Sequence, residues 1–195
     1  MATHECSGEL WGCAKHAAMG PTCCQTSEVF VTEGDKQRIA AYTGRDDFWE
    51  NRAPGDPVYL EQDDDPNWLK WAFRPDGTRP ILKRHPGKGD CTFLGKEGCT
   101  LPLETRPIVC RLYPYNYNEQ GLTGVSTGCP AEVIPPGSTI LEVLGMVRRD
   151  AERWHAQLYT ELRTRRRADG AARAAADAAS RLPPPRTAPS RKEAR

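Results

Sequence analysis

Eight cysteines are the residues of this chain whose types and spacing can do chemistry. Cys91, Cys99 and Cys110 fall in one stretch, CTFLGKEGCTLPLETRPIVCRLYP, which runs from Cys91 to Pro114. Cys129 follows after eighteen intervening residues, while Cys6, Cys13 and the adjacent pair Cys23 and Cys24 lie upstream with gaps of six and then nine. None of these gaps is the CxxC of a zinc finger. Thiolate is nevertheless a soft ligand suited to zinc and to iron, and an iron–sulfur cluster or a structural zinc ion uses about four ligands. Four upstream and four downstream thiols therefore match one or two such centres, and the count does not choose between the metals. Disulfides and inert buried thiols are the competing readings. Eight cysteines in a reducing cytosol make a poor disulfide framework, and neighbours such as Cys23 and Cys24 do not easily bridge each other. His4 and His16 stand near the first group, but with so many thiols at hand an exposed or capping imidazole is the simpler reading.

The elements around these residues decide where the sulfurs point. Gly95-Lys96-Glu97-Gly98 between Phe93-Leu94 and Thr100-Leu101 predicts a short hairpin flanked by Cys91 and Cys99, so that two thiols face one point. Pro107 suits a first helical position and Pro114 ends the run, which leaves Cys110 in a short helix. The Gly20-Pro21-Thr22 turn presents Cys23 and Cys24 on irregular backbone. A metal held by four thiolates carries a net negative charge, and Arg106 and Arg111 are placed to offset it by hydrogen-bonding sulfur or ligand-loop carbonyls. The alternative for them is a surface pair with Glu104.

Elsewhere the pattern is structural. Val29–Val31 reads as extended, and Thr32 with Asp35 as a capping box that opens a helix ending at Gly44. Asp46 is expected to cap a second helix through Asn51. Trp68, Trp71 and Phe73, then Arg74-Pro75-Asp76-Gly77, then Ile81 and Leu82 predict a hairpin with core aromatics. The acidic run Glu61–Asp65 lacks the spacing of a calcium loop and reads as a solvated loop. Lys83, Arg84, His85 and Lys88 read as residues that keep a loop soluble. Thr139 and Glu142 form another capping box, followed by Ile140, Leu144, Val147, Ala151, Trp154, Leu158 and Leu162 at helical spacing. One long amphipathic helix, docked on the domain rather than forming a dimer seam, is expected.

At 195 residues with 38% hydrophobic and 27% charged residues, the chain has the make-up of one soluble α+β domain. Residues 1–137 are assigned to a cysteine-cluster metal-binding domain, 138–181 to a C-terminal helical extension and 182–195 to a disordered basic Pro-rich tail. No run approaches the roughly 20 apolar residues of a membrane span, and the start MATHECSGELWGC has no apolar signal core, so a cytoplasmic protein with no membrane partner is expected. From Arg163 onward ten Lys or Arg face Asp169, Asp177 and Glu193, a net +7; with +1 overall, residues 1–162 carry −6. Attraction of that tail to nucleic acid is the sharper reading and a solvated tail the default. No phosphate loop, catalytic serine motif or S-adenosylmethionine-type glycine motif is present, and no catalytic residue is assigned.

The cysteine pattern from about Cys6 to Cys129 resembles the YkgJ-like cysteine-cluster family, described as a zinc- or iron-chelating domain. Cys91-Thr-Phe-Leu, Gly98-Cys99-Thr and Arg106-Pro107-Ile-Val-Cys110-Arg111-Leu-Tyr-Pro114 are similar to its CxFL, GCxIY and RPxxCRxFP pattern. Cys23-Cys24 ahead of Val31-Thr32 and Asp35–Ile39 fits as well. The first cysteines of that family lie two or three residues apart, whereas Cys6 and Cys13 here are widely spaced. The resemblance implies a metal-bearing domain with zinc or an iron–sulfur cluster as cofactor, and flagellin lysine N-methylases as distant relatives, without transferring a reaction. Three functions are consistent with these residues: an iron–sulfur protein with redox or group-transfer chemistry, a zinc-stabilised module that binds a protein partner, and a nucleic-acid-associated module.

Overall fold

Thr32 sets the first long helix. The computed structural model describes residues 22–61, 65–126 and 134–180, with side chains of the last helix as far as 174. The expectations for Cys6, Cys13, Cys129, His4, His16, the middle of the acidic run and the tail lie outside the described residues. After the one-turn helix α1 (Cys23–Thr26), α2 (Glu33–Thr43) starts where the Thr32 hydroxyl accepts the Asp35 N–H at 3.0 Å. The Asp35 carboxylate takes the Thr32 N–H at 2.9 Å in return, and Gly44 in the left-handed region ends the helix. The expected box and stop are both present.

Extended segments then build small sheets. Strand β1 (Trp49–Arg52) pairs antiparallel with β2 (Arg79–Leu82), with Trp49 opposite Leu82. Val29–Val31 joins their edge: the Leu82 N–H donates to the Val29 carbonyl at 2.9 Å and the Val31 N–H to the Pro80 carbonyl at 3.1 Å. This corrects the helix expected after Asp46. A local cap signal lost there to a strand partner that lies far along the chain, with the Lys36 ammonium stacked 3.4 Å from the Trp49 ring centroid on the covered side. A 3-10 turn (Pro57–Leu60) and α3 (Trp68–Ala72) occupy the intervening chain. The hairpin expected over 68–82 is thereby corrected as well. Trp68 and Ala72, four residues apart, both bury their side chains on one helical face. The Arg74–Gly77 turn does form, closed by the Gly77 N–H on the Arg74 carbonyl at 3.1 Å, but it joins a helix to a strand.

The hairpin β3 (Leu94–Gly95) to β4 (Gly98–Cys99) follows, as the glycines predict, then a 3-10 turn (Leu103–Thr105) and the expected short helix α4 (Ile108–Leu112), with Pro107 at its N-cap rather than its first helical position. A third hairpin, β5 (Tyr115–Asn118) with β6 (Gly121–Val125), leads to the helical end of the chain. The Thr139–Glu142 box opens only a short helix, α5 (Ile140–Val143). Gly145 at φ 60° then turns the backbone into a conformation that ordinary side chains disfavour, and a new helix α6 (Arg148–Ser180) begins. The single helix expected from Ile140 is therefore two, whereas α6 runs through Gly170 without interruption.

The core has two parts. Ala151, Trp154, Leu158 and Leu162 of α6 are buried with Phe30, Trp68, Ile108, Leu112 and Tyr115, so the apolar stripe is docked on the body. Val31, Ile39, Phe48, Leu82, Cys91, Phe93 and Leu101 form the second cluster, with Cys24 and Cys99 half-buried against it. Helix α6 also approaches α2 so closely that a side chain at Gly34 would collide with the Glu161 carboxylate. The resulting architecture is mixed helix and small antiparallel hairpins, an α+β fold. Among the described residues no helix is long and apolar enough to cross a membrane.

Candidate metal centre

The five described cysteines are free thiols, and they come from four separate segments. Cys23 and Cys24 open α1, where the Thr22 N–H donates to the Gln25 side chain at 2.8 Å and fixes the turn. The Cys91 N–H donates to the Cys24 carbonyl at 2.7 Å, which joins the second segment to the first. Arg84 strengthens that seam. Its guanidinium donates to the Gln25 carbonyl at 2.7 Å, to the Ser27 carbonyl at 2.6 Å and to the Gly89 carbonyl, so it clamps the end of α1 to the loop that delivers Cys91. The sequence gives no local sign of this role, since Arg84 stands in a basic run that reads as solvated.

Cys91 directs the hairpin start by accepting the Leu94 N–H at 2.9 Å, and Leu94 lies opposite Cys99 in the β3–β4 register. Cys110 sits mid-way along α4, whose Ile108 N–H donates to Asp35 at 3.0 Å. Asp35 is fully buried and so caps two helices at once, holding α4 and its cysteine against α2.

Burial and mutual proximity favour the protonated thiol at Cys24, Cys91, Cys99 and Cys110. Burial pushes the Cys91 thiol up to about 12. It also raises Cys110 far above the ordinary range, with the sulfurs of Cys24, Cys91 and Cys99 adding to the effect. A hydrogen bond with Cys23 raises Cys24, and burial adds to it. Cys99 is raised by burial, against the pull of Arg106, which hydrogen-bonds its sulfur. Arg106 also donates to the Leu101 carbonyl at 3.0 Å, on the ligand-loop side. Arg111 turns the other way. Its guanidinium meets Glu104 at 3.1 Å and Asp35 at 3.7 Å and lies 5.9 Å from the Trp154 ring, under α6.

The donor set suits a thiolate-bound metal in type and number: four sulfurs within electrostatic reach of one another, with Cys23 beside them and a guanidinium against one of them. Among the described residues no group of three or more His, Cys, Asp or Glu side chains has the arrangement to hold a metal ion as it stands. Cys23 and Cys110 also line a cavity of about 300 Å³ on the α4 side. No family model, curated protein or solved structure matches this chain.

Proposed function

We propose that Cys24, Cys91, Cys99 and Cys110 are thiolate ligands of one metal centre, with Cys23 at its rim, and that the chain is a cysteine-cluster protein of the YkgJ-like kind. The observation that carries this reading is the meeting of four thiols from four chain segments at one place, around bonds such as Cys91 N–H to Cys24 and Arg84 to Gln25 and Ser27. An iron–sulfur cluster there would supply redox or group-transfer chemistry, whereas zinc would supply structural stability. Arg106 holds Cys99 and its loop, and the positive charge favours the thiolate form that a ligand requires. Binding requires the sulfurs to come together in one closely spaced set, so it is coupled to ordering of residues 22–27 and 91–110. Cys6, Cys13 and Cys129 are assigned by ligand arithmetic to the same or a second centre.

Anaerobic purification with metal analysis and an absorption spectrum tests the proposal. Iron with thiolate-to-iron absorption marks the cluster, and a colourless protein with stoichiometric zinc marks the structural site. Serine at Cys24, Cys91, Cys99 or Cys110 is expected to lower the metal-to-protein ratio by at least about half, because a hard hydroxyl replaces a soft thiolate. Full retention of metal in the Cys91, Cys99 and Cys110 variants sinks the centre.

A further inference from the structure

The cavity beside Cys23 and Cys110 has walls whose chemistry defines an occupant without reference to any metal. Six of the fifteen lining residues are aromatic, Tyr59 and Trp68 among them, and three are charged, Glu28, Asp65 and Arg79. At about 300 Å³ it lies at the small end of ligand pockets. Its carboxylate acceptors are already used. The Glu28 carboxylate takes Arg79 at 3.1 Å, Arg52 at 3.1 Å and the Gly55 N–H at 3.0 Å. Asp65 takes the Asn67 N–H at 3.1 Å and the Tyr159 hydroxyl.

The donors are in surplus. Tyr59 spends a lone pair on the Glu28 N–H at 2.8 Å, which leaves its own hydroxyl proton to donate, and Arg79 stacks 4.0 Å from the Tyr59 ring centroid. Arg79 Nε and Trp68 Nε1 in the same wall are closed to solvent and have no hydrogen-bond partner, so their N–H dipoles add a field that favours an acceptor. An anion is not what the walls call for, because Arg79 with Glu28 and Asp65 sum to a formal −1. A cation is not either, because every carboxylate oxygen in the wall already takes a donor.

We propose that this cavity is a binding site for a neutral, flat aromatic or heteroaromatic compound bearing a hydrogen-bond acceptor such as a carbonyl or ring nitrogen, held between the aromatic walls with Tyr59 as its direct donor. An occupant there lies against Cys23 and Cys110.

Three probes of one size and different charge test the proposal on the full chain: benzamide, benzoate and benzylamine, titrated by calorimetry and by ligand-observed NMR. Benzamide is expected to bind saturably and at least about tenfold more tightly than either charged probe. Tyr59→Phe keeps the ring over Arg79 and removes the donor, and should weaken benzamide by about five- to tenfold. Asn116→Trp, at an exposed lining position, should block binding without touching the core. Absence of saturable benzamide binding means that the cavity holds only water and overturns the proposal. Equal or tighter binding of benzoate or benzylamine, or unchanged benzamide affinity in Asn116→Trp, overturns it too.

Discussion

The half of the molecule under α6 and the half that carries the cysteines are built by different means. Under α6, Trp154, Leu158, Tyr159 and Leu162 meet Trp68, Ile108 and Leu112, all nearly without solvent contact. Each large apolar side chain so buried contributes roughly 1.5–3 kcal/mol, and this packing is the main term that fixes where α6 lies. The cysteine half has two-residue strands, a one-turn helix and a five-residue helix. Elements that short do not hold themselves. Beside the small apolar cluster around Phe93 and Leu101, directed bonding holds them: the Arg84 clamp, the Cys91 to Cys24 bond and the double cap at Asp35. A region built that way is sensitive to what its sulfurs bind, and a region built on packing is not.

Asp35 is the place to break the contrast, because it touches both halves. It accepts from Thr32 and Ile108 and pairs with Arg38 at 2.7 Å and with Arg111 at 3.7 Å, wholly out of water. Asp35→Ala removes the acceptor of the Thr32 and Ile108 N–H groups at two helix starts and one of the two carboxylates that face each of Arg38 and Arg111, and should cost about 4 kcal/mol in urea unfolding. Hydrogen exchange should quicken at Ile108 and in α2 together. Slow exchange retained at Ile108 would show that α4 is positioned by its apolar contacts instead.

Leu158→Ala sharpens the contrast from the other side. The side chain is fully buried among rings and aliphatics, so its loss should cost about 3 kcal/mol, from transfer and cavity together. The same loss is expected with and without a chelator, since no cysteine lies in that cluster. A loss that changed with metal content would mean that the two halves unfold as one unit.

Legibility in the sequence divides along the same line as the construction. Signals that act within four or five residues were sufficient for α2, the β3–β4 hairpin, the start of α4 and the Thr139–Glu142 box. Those that need a distant partner were not. Asp46 looks like a cap until β2 supplies a ladder for Trp49–Arg52, and Trp68 and Trp71 look like a strand until α6 offers a surface for Trp68 and Ala72. Gly145 carries the same stop signal as Gly44, but the apolar repeat that runs past it at helical spacing masks it. At the candidate site the cysteine types were readable, and so was the hairpin that carries Cys99. Arg111, next to Cys110, reads as a neighbour of sulfur, but about 100° of helical turn per residue sends it to the opposite acidic side. Arg84 and the second role of Asp35 rest on contacts with chain segments far away in sequence. In the basic run, Arg163 reaches Glu119 at 3.1 Å and Arg165 reaches the Trp71 carbonyl at 2.6 Å, so both tie α6 to the body.

The smallest expected effect lies at the seam where α6 meets α2. Glu161 takes Arg38 at 2.7 Å, Gln157 at 2.9 Å and the Thr32 hydroxyl. Burial alone would push its carboxyl up, but these donors outweigh burial and hold it below the ordinary range. A carboxyl lowered by folding adds stability that is fully present above its unfolded value of about 4.3 and is lost as pH falls through the lowered folded value. Docking of α6 should therefore weaken in acid, below about pH 4. Asp35 works in the opposite sense, since burial raises it, so the raw stability curve mixes the two. The difference between the native chain and Glu161→Gln isolates the seam: about 1 kcal/mol at pH 7, shrinking as pH falls through the lowered folded value. Urea midpoints across that range read it directly. Parallel curves would mean that Arg38 is held by Asp35 alone and that α6 docks by its apolar stripe without help from Glu161.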